Sequence, residues 1–285
     1  MIYVLLSVVC SVLVSVLLKL ARRAGIDVGQ AIAWNYVVTS ALTALLLQPT
    51  LASLREPGVP WLALAALGIL LPTIFLALAA SVRHAGIVRS DAAQRLSLLL
   101  SLLAAFALFG EQLTAPKGIG IALGLLALLC MVWRSGQGTT ERGAAGWLYP
   151  LLVFGGFGVI DVLFKRVALA GVPLGASLQA MFALALLVAF ALQLWRRLQD
   201  QTRFTTRSVL AGMLLGLANF GNILFYLRGH RALPQHPALV FASMNIGVVA
   251  LGALVGLLVF RERLSRLNLA GVALALLAIG VIARG

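Results

Sequence analysis

The sequence predicts an all-α polytopic membrane protein with ten transmembrane helices in two inverted five-helix repeats. Three observations predict it. Of 285 residues, 62% are hydrophobic and 11% are charged, with a mean hydropathy of +1.05, whereas a soluble domain carries about 25% charged residues. Apolar runs of the length that crosses a bilayer, about 20 residues, follow one another along the whole chain with only short polar breaks. Finally, a set of charged and glycine positions in the first half returns in the second. A β-barrel is excluded, because its strands alternate polar and apolar residues while Leu96–Phe109 and Leu239–Phe260 are nearly unbroken apolar runs. Helices satisfy their own backbone in lipid.

Taken in order, the spans fall at about 2–19, 31–48, 61–81, 92–109, 117–134, 147–165, 173–194, 209–227, 238–260 and 267–283. Pro49 and Glu56-Pro57-Gly58 close the second. The break from Ser135 to Gly143 divides the chain near its middle, and Arg196 to Arg207 forms a basic connection. Pro116, Pro173 and Pro237 stand at predicted helix starts, where a missing N–H costs nothing, with Pro150 close to another. Pro72 lies inside the third span, where a kink is expected. Trp34, Trp61, Trp133, Trp147 and Trp195 fall near span ends, as an aromatic belt requires.

The internal repeat organises the rest. Lys19-x5-Gly25-Ile26-x-Val28-Gly29 closes the first span, and Lys165-x5-Gly171-Val172-x-Leu174-Gly175 closes the sixth. Phe109-x-Glu111-x-Leu113 returns as Phe260-x-Glu262-x-Leu264, each followed by an apolar helix opening on Gly118 or Gly271. Two halves, residues 1–143 and 144–285, account for these matches. Five is odd, so the second half enters the membrane from the opposite side, an arrangement of transporters.

The formal charge of +14 would suggest nucleic-acid binding in a soluble chain. Here the basic residues sit at span edges, facing anionic leaflets, and no nucleic-acid partner is expected. Cys10 and Cys130 lie in apolar runs without partner spacing and read as small hydrophobes. No cofactor or metal is expected. Met1–Leu18 has no basic leading region and reads as a span, not as a cleaved signal.

With these features the sequence resembles the drug/metabolite transporter superfamily, in particular its ten-helix EamA-like members. Phe109-Gly110-Glu111-Gln112-Leu113 and Phe260-Arg261-Glu262-Arg263-Leu264 carry the likeness after the fourth and ninth helices. Gln94-Arg95-Leu96-Ser97 is similar to an Asn-Lys-Met-Ser stretch that some members carry at the start of the fourth helix. Asn245-Ile246-Gly247-Val248-Val249 is similar to the matching stretch of the ninth. The resemblance implies a secondary transporter or exporter of small metabolites in a bacterial inner membrane, with a cavity formed mainly by helices 1, 3, 4, 6, 8 and 9. The chain departs from many members in lacking a proline early in the fourth helix.

Several residues are candidates for the path. Arg95 opens a long apolar run one turn after Asp91; it reads either as an interfacial pair with that carboxylate or as an anchor for a substrate carboxylate or phosphate. Gln94 and Ser97 sit beside it, although Ser97 can instead bond its own helix backbone. Lys19 and Lys165 occupy equivalent places and either snorkel to the interface or face a polar cavity. Asn219 and Asn222 share a face of the eighth helix; with Asn245 they either glue helices together or hydrogen-bond a polar solute. Asn35, in the second helix, reads as structural.

Asp161 is the one acid well inside a span and precedes Lys165 by one turn. It reads as an internal pair or as the carrier of a coupling proton, since burial favours a neutral carboxyl group. Glu111 and Glu262, beside Lys117 and beside Arg261 and Arg263, read as latches between helix ends. His84, His230 and His236 are expected in solvated loops. Gly212-x3-Gly216 and Gly252-x3-Gly256 are spacings that permit tight helix contacts.

The function expected is alternating-access transport, as importer or exporter, of a small polar metabolite, with or without proton coupling. The alternative is a non-transporting scaffold or assembly subunit. No Walker loop and no interfacial cluster of acid, His or Ser groups is present, so no enzyme is expected. The partners are a small solute and the bilayer. The oligomeric state is open, a monomer included.

Overall fold

The computed structural model describes residues 1–85, 90, 93–94, 96–132, 145–202, 204–259 and 266–282. Among them are ten α-helices and no strand: α1 (Ile2–Arg23), α2 (Val28–Leu42), α3 (Trp61–Ala85), α4 (Leu98–Ala107), α5 (Ala115–Val132), α6 (Ala145–Leu169), α7 (Leu174–Leu198), α8 (Thr206–Ala232), α9 (Pro237–Leu258) and α10 (Arg266–Ile282). A π-turn over Thr43–Leu47 prolongs α2, and a short 3-10 helix covers Leu51–Arg55. Among the described residues, six helices are long and apolar enough to cross a membrane: α1, α2 with its π-turn, α3, α7, α8 and α9. The described part of α4 is ten residues, about 15 Å.

Sequence chemistry sets most helix ends. Pro116 occupies the first turn of α5, Pro173 caps α7, and Pro237 is the first residue of α9. Gly25 follows α1 with φ +67° and Gly171 follows α6 with φ +72°. At both places the chain turns out of a helix through the left-handed region open to glycine. The two glycines are the pair matched in the repeat. Pro72 lies inside a continuous α3.

The chain folds as two compact units, one of residues 1–8, 77–162 and 232–285, the other of residues 9–76 and 163–231. In the first, α5 and α10 run antiparallel in close contact: Gly120 lies against Ile282 and Ala278, and Gly124 against Ile246 and Ala278. Around α9, Gly247 meets Val8 at the start of α1, and α4 packs along its side.

In the second unit α2 lies between α7 and α8. Its contacts with α7 are antiparallel: Asp27 meets Arg196, Trp34 packs edge-on to Phe190, and Leu47 abuts Gly175. Trp34 is therefore a packing residue inside the helix, unlike Trp61 and Trp195, which are more than half exposed at helix ends. Against α8 the spacing Gly212-x3-Gly216 gives the closest approach. A Cβ on Gly212 would lie 2.5 Å from Cβ of Trp34, and one on Gly216 would lie 2.6 Å from Cβ of Val38. Gly252, from the other such spacing, has nothing within 4 Å of its Cβ position. Val14 of α1 clusters with Leu215 and Ala218 of α8, and Cys10 packs on Gly221.

One end of this unit is held by a polar network that the sequence reading missed. Asp27 caps α2, accepting from the amides of Gly29 at 2.9 Å and Gln30 at 3.2 Å. Its two oxygens also receive the Arg196 guanidinium, at 3.1 and 3.0 Å, and the Thr202 hydroxyl at 2.7 Å. Gln30 ties in the loop after α7, donating to Thr202 and accepting from the Thr205 amide. Burial pushes the Asp27 carboxyl up, but the hydrogen bonds from Arg196 and Thr202, the Arg196 charge and the Gln30 amide outweigh it, and the group titrates below the usual carboxylate range.

A carboxylate depressed by folding adds stability above its unfolded pKa and loses it as pH falls through the folded value. Asp27→Asn is therefore expected to lower the thermal midpoint at neutral pH, by roughly 1–2 kcal/mol for the weakened cap and ion pair. It also flattens the fall in stability below about pH 4. Thermal unfolding of the two proteins in detergent across that range is the measurement; equal slopes would show that Asp27 does not hold this end.

Candidate functional site

A polar cluster sits among apolar helices in the first unit. Asp161, half-buried on α6, accepts a hydrogen bond at 2.7 Å from the hydroxyl of Ser101, which is fully buried on α4. Asn245 of α9 donates to the same Oδ2 at 3.5 Å and to the carbonyl of Phe241, one turn back on its own helix, at 3.1 Å. That second bond fixes which end of the amide faces Asp161. The cluster is thus a carboxylate met by a hydroxyl and an amide from two other helices.

Close packing brings these groups together. A Cβ on Gly158 would lie 2.7 Å from Cβ of Leu100, so α6 and α4 nearly touch at the residues preceding Asp161 and Ser101. Gly158→Leu is expected to push α4 away and break the 2.7 Å bond, at a cost of about 1–3 kcal/mol. Thermal stability and the infrared carboxylate bands report the two effects; unchanged bands would mean the contact does not set the geometry.

One turn before Ser101, the buried hydroxyl of Ser97 donates at 2.6 Å to the carbonyl of Gln94. Its hydroxyl is thus used on the local backbone. The Ser97 carbonyl accepts from the amides of Leu100 at 3.0 Å and Ser101 at 3.3 Å. Arg95 and Asp91 lie outside the described residues, as does Glu262.

Glu111 is buried between α4 and α5. One oxygen faces the buried Lys117 ammonium at 3.0 Å, and the other accepts from the Ala238 amide at 2.6 Å. His236 at the start of α9 supplies no side-chain cap, so the carboxylate of Glu111 meets the positive end of that helix.

Four further candidates belong to the second unit. Lys165 is fully buried, while Lys19 is partly exposed. Asn219 is buried and Asn222 partly so. His230 corrects the expectation of a solvated loop: α8 continues to Ala232, and His230 is fully buried with its ring 4.8 Å from Tyr226. Tyr226 in turn packs edge-on to Phe164, the neighbour of Lys165. His84 lies within α3 and stacks on Tyr149 at 5.1 Å; His236 alone is exposed. The cause is helix length, since α3 and α8 run four to five residues past the apolar windows that marked their ends.

Ser101 is the member of the cluster that sequence reading missed. The signal was present: it is the one polar residue of α4, four positions after Ser97.

Comparison with known proteins bears on what such a cluster serves. The model of the EamA-like transporter family matches residues 1–133. An uncharacterized protein of Haemophilus influenzae is 44% identical over 281 residues, covering 96% of this chain and 94% of its own. The chain belongs to the EamA-like transporter family. A protein of known crystal structure is similar over 97% of this chain and 95% of its own, with a TM-score of 0.70 at 20% identity; at that identity the likeness is one of fold. As an EamA-like protein the chain is a multi-pass membrane transporter of the drug/metabolite type.

Proposed function

We propose that this EamA-like protein is a secondary transporter of a small polar metabolite, working by alternating access in the bacterial inner membrane, with Asp161 as its proton-carrying group. The observation that carries the reading is the cluster itself. A carboxylate is held by a hydroxyl and an amide from two other helices. Such a group can gain and lose a proton while its surroundings keep their hydrogen bonds.

We read the architecture as ten crossings in two inverted repeats, residues 1–143 and 144–285. Equivalent helices of the proposed halves pack in pairs, α2 with α7, α4 with α9 and α5 with α10. The first and last of these pairs run antiparallel, as repeats of opposite orientation require. The matching left-handed glycines after α1 and α6 support the same reading. Asn219, Asn222, Lys19, Lys165 and Arg95 are further candidates for solute contact, and Glu111 and Glu262 for helix-end latches.

The test is purified protein in proteoliposomes, screened against amino acids, nucleotides, sugars and sugar phosphates with and without a pH gradient. Uptake above empty liposomes that responds to the gradient is expected. Failure to move any member of such a panel would favour a non-transporting scaffold.

A further inference from the structure

We propose that Glu111 is the positioning residue of the Asp161 cluster: by capping α9 from the turn after α4, it sets the amide of Asn245 and the hydroxyl of Ser101 at one depth. The inference rests on the reading of that cluster as the working site.

The start of α9 takes its cap from another part of the chain. His236 supplies no side-chain bond there and Pro237 has no N–H, so the Ala238 amide is the first donor of the helix. Glu111, 127 positions earlier, receives it on Oε2 at 2.6 Å. Both residues are buried, where an unmet amide is costly. The backbone of Glu111 is in turn tied to α4. Gly110 turns the chain through the left-handed region at φ +64°, and the Glu111 amide donates back to the Ala105 carbonyl at 3.1 Å. One residue thus grips the end of α4 by its backbone and the start of α9 by its side chain.

Lys117 decides how the carboxylate is turned. Its buried ammonium lies 3.0 Å from Oε1, which leaves Oε2 for Ala238. Lys117 stands in the first turn of α5, where the helix dipole opposes a cation, and Glu111 offsets that charge.

The C-terminal end of α4 meets the N-terminal end of α9 at Glu111, so from this point both helices lead towards the cluster. Ser101 lies six residues before Ala107, about 9 Å along α4, and Asn245 lies seven residues after Ala238, about 10 Å along α9. Seven residues are nearly two full turns, which returns Asn245 to the stripe of α9 that carries Ala238. Both donors therefore come to one depth, where Oδ2 of Asp161 receives Ser101 at 2.7 Å and Asn245 at 3.5 Å. The longer bond comes from the helix that Glu111 caps, and a small shift of that helix is enough to lose it.

The experiment is infrared spectroscopy of the full-length protein in detergent, following the Asp161 carboxyl band, assigned as the one lost in Asp161→Asn. Hydrogen exchange of the peptide covering residues 238–245 is measured on the same samples. Asn245→Ala defines the band shift that loss of its amide produces. Glu111→Gln is expected to give the same shift and about a fivefold loss of protection, as removal of an N-cap does. Its single carbonyl oxygen is drawn to the unpaired Lys117 ammonium and away from Ala238. Glu111→Gln combined with Lys117→Met restores the band and the protection, because the carbonyl is then free to accept from Ala238 and no charge is buried alone. Glu111→Ala combined with Lys117→Met keeps the shift; it too buries no lone charge, so it carries the test if Glu111→Gln fails to fold. A merely structural ion pair would make the two double variants alike. A wild-type band in Glu111→Ala with Lys117→Met, or a shift that the glutamine does not rescue, overturns the positioning role and leaves the transport reading standing. Rescue of the band in a protein that moves no solute in liposomes would do the reverse.

Discussion

Asp161→Asn is expected to abolish accumulation of solute driven by a pH gradient while leaving the protein folded. A gradient of one pH unit carries about 1.4 kcal/mol per proton, enough for roughly tenfold accumulation when one proton moves per solute. Asparagine has nearly the same shape and can still accept from Ser101 through its carbonyl, so the bond at 2.7 Å survives in kind. What the variant cannot do is gain and lose a proton. Accumulation should fall to the ratio of one that passive equilibration gives, although downhill movement persists. The measurement is the internal-to-external solute ratio in proteoliposomes under an imposed gradient, using a solute found by the panel. If Asp161→Asn still accumulates solute tenfold, coupling runs through another group.

Gly216→Leu is expected to be the most damaging single change to the fold. The Cβ it adds would lie 2.6 Å from Cβ of Val38 and 2.9 Å from the carbonyl oxygen of Asn35. A flexible side-chain end could retreat from such a contact; a helix backbone cannot. The helices must separate along their length, with a loss of about 3 kcal/mol, the upper part of the range for overpacking. It would be felt as a lower thermal midpoint and a smaller monodisperse yield. Gly212→Leu should act alike, because its Cβ would lie 2.7 Å from the Ala31 carbonyl oxygen. Gly252→Leu is the control: it has the same sequence spacing but open space around it. There, a better helix former replaces glycine and no destabilisation is expected. Equal damage at Gly216 and Gly252 would show that helix packing does not explain the sensitivity.

The contrast between these glycines marks where sequence reading stops. Both spacings look the same in one dimension. Which one faces a neighbour depends on how α8 and α9 are rotated about their axes, and apolar residues on every side leave no periodic signal to set that rotation. His230 makes the same point about boundaries. An apolar window ends where polar residues begin, but α8 continues through Arg228, His230 and Arg231, because its backbone hydrogen bonds do not depend on side-chain polarity and Tyr226 shelters the histidine ring. The Asp27 network was hidden for another reason. Its acid and its arginine stand 169 positions apart, and only the antiparallel packing of α2 on α7 brings them together.

By itself the sequence determined the class of protein, because hydropathy and run length alone decide whether a chain can be satisfied in water or in lipid. It also determined the helix starts at Pro116, Pro173 and Pro237, since those depend on the covalent structure of the residue present. It singled out Asp161 and Asn245 as polar groups too costly to bury without purpose. Tertiary structure alone decided that Asn245 donates to Oδ2 of Asp161 and that Ser101, passed over among leucines, bonds the same oxygen at 2.7 Å. Such a contact depends on side chains from three helices meeting at about 3 Å. Distance between helices is a property of their packing, and no spacing along the chain encodes it.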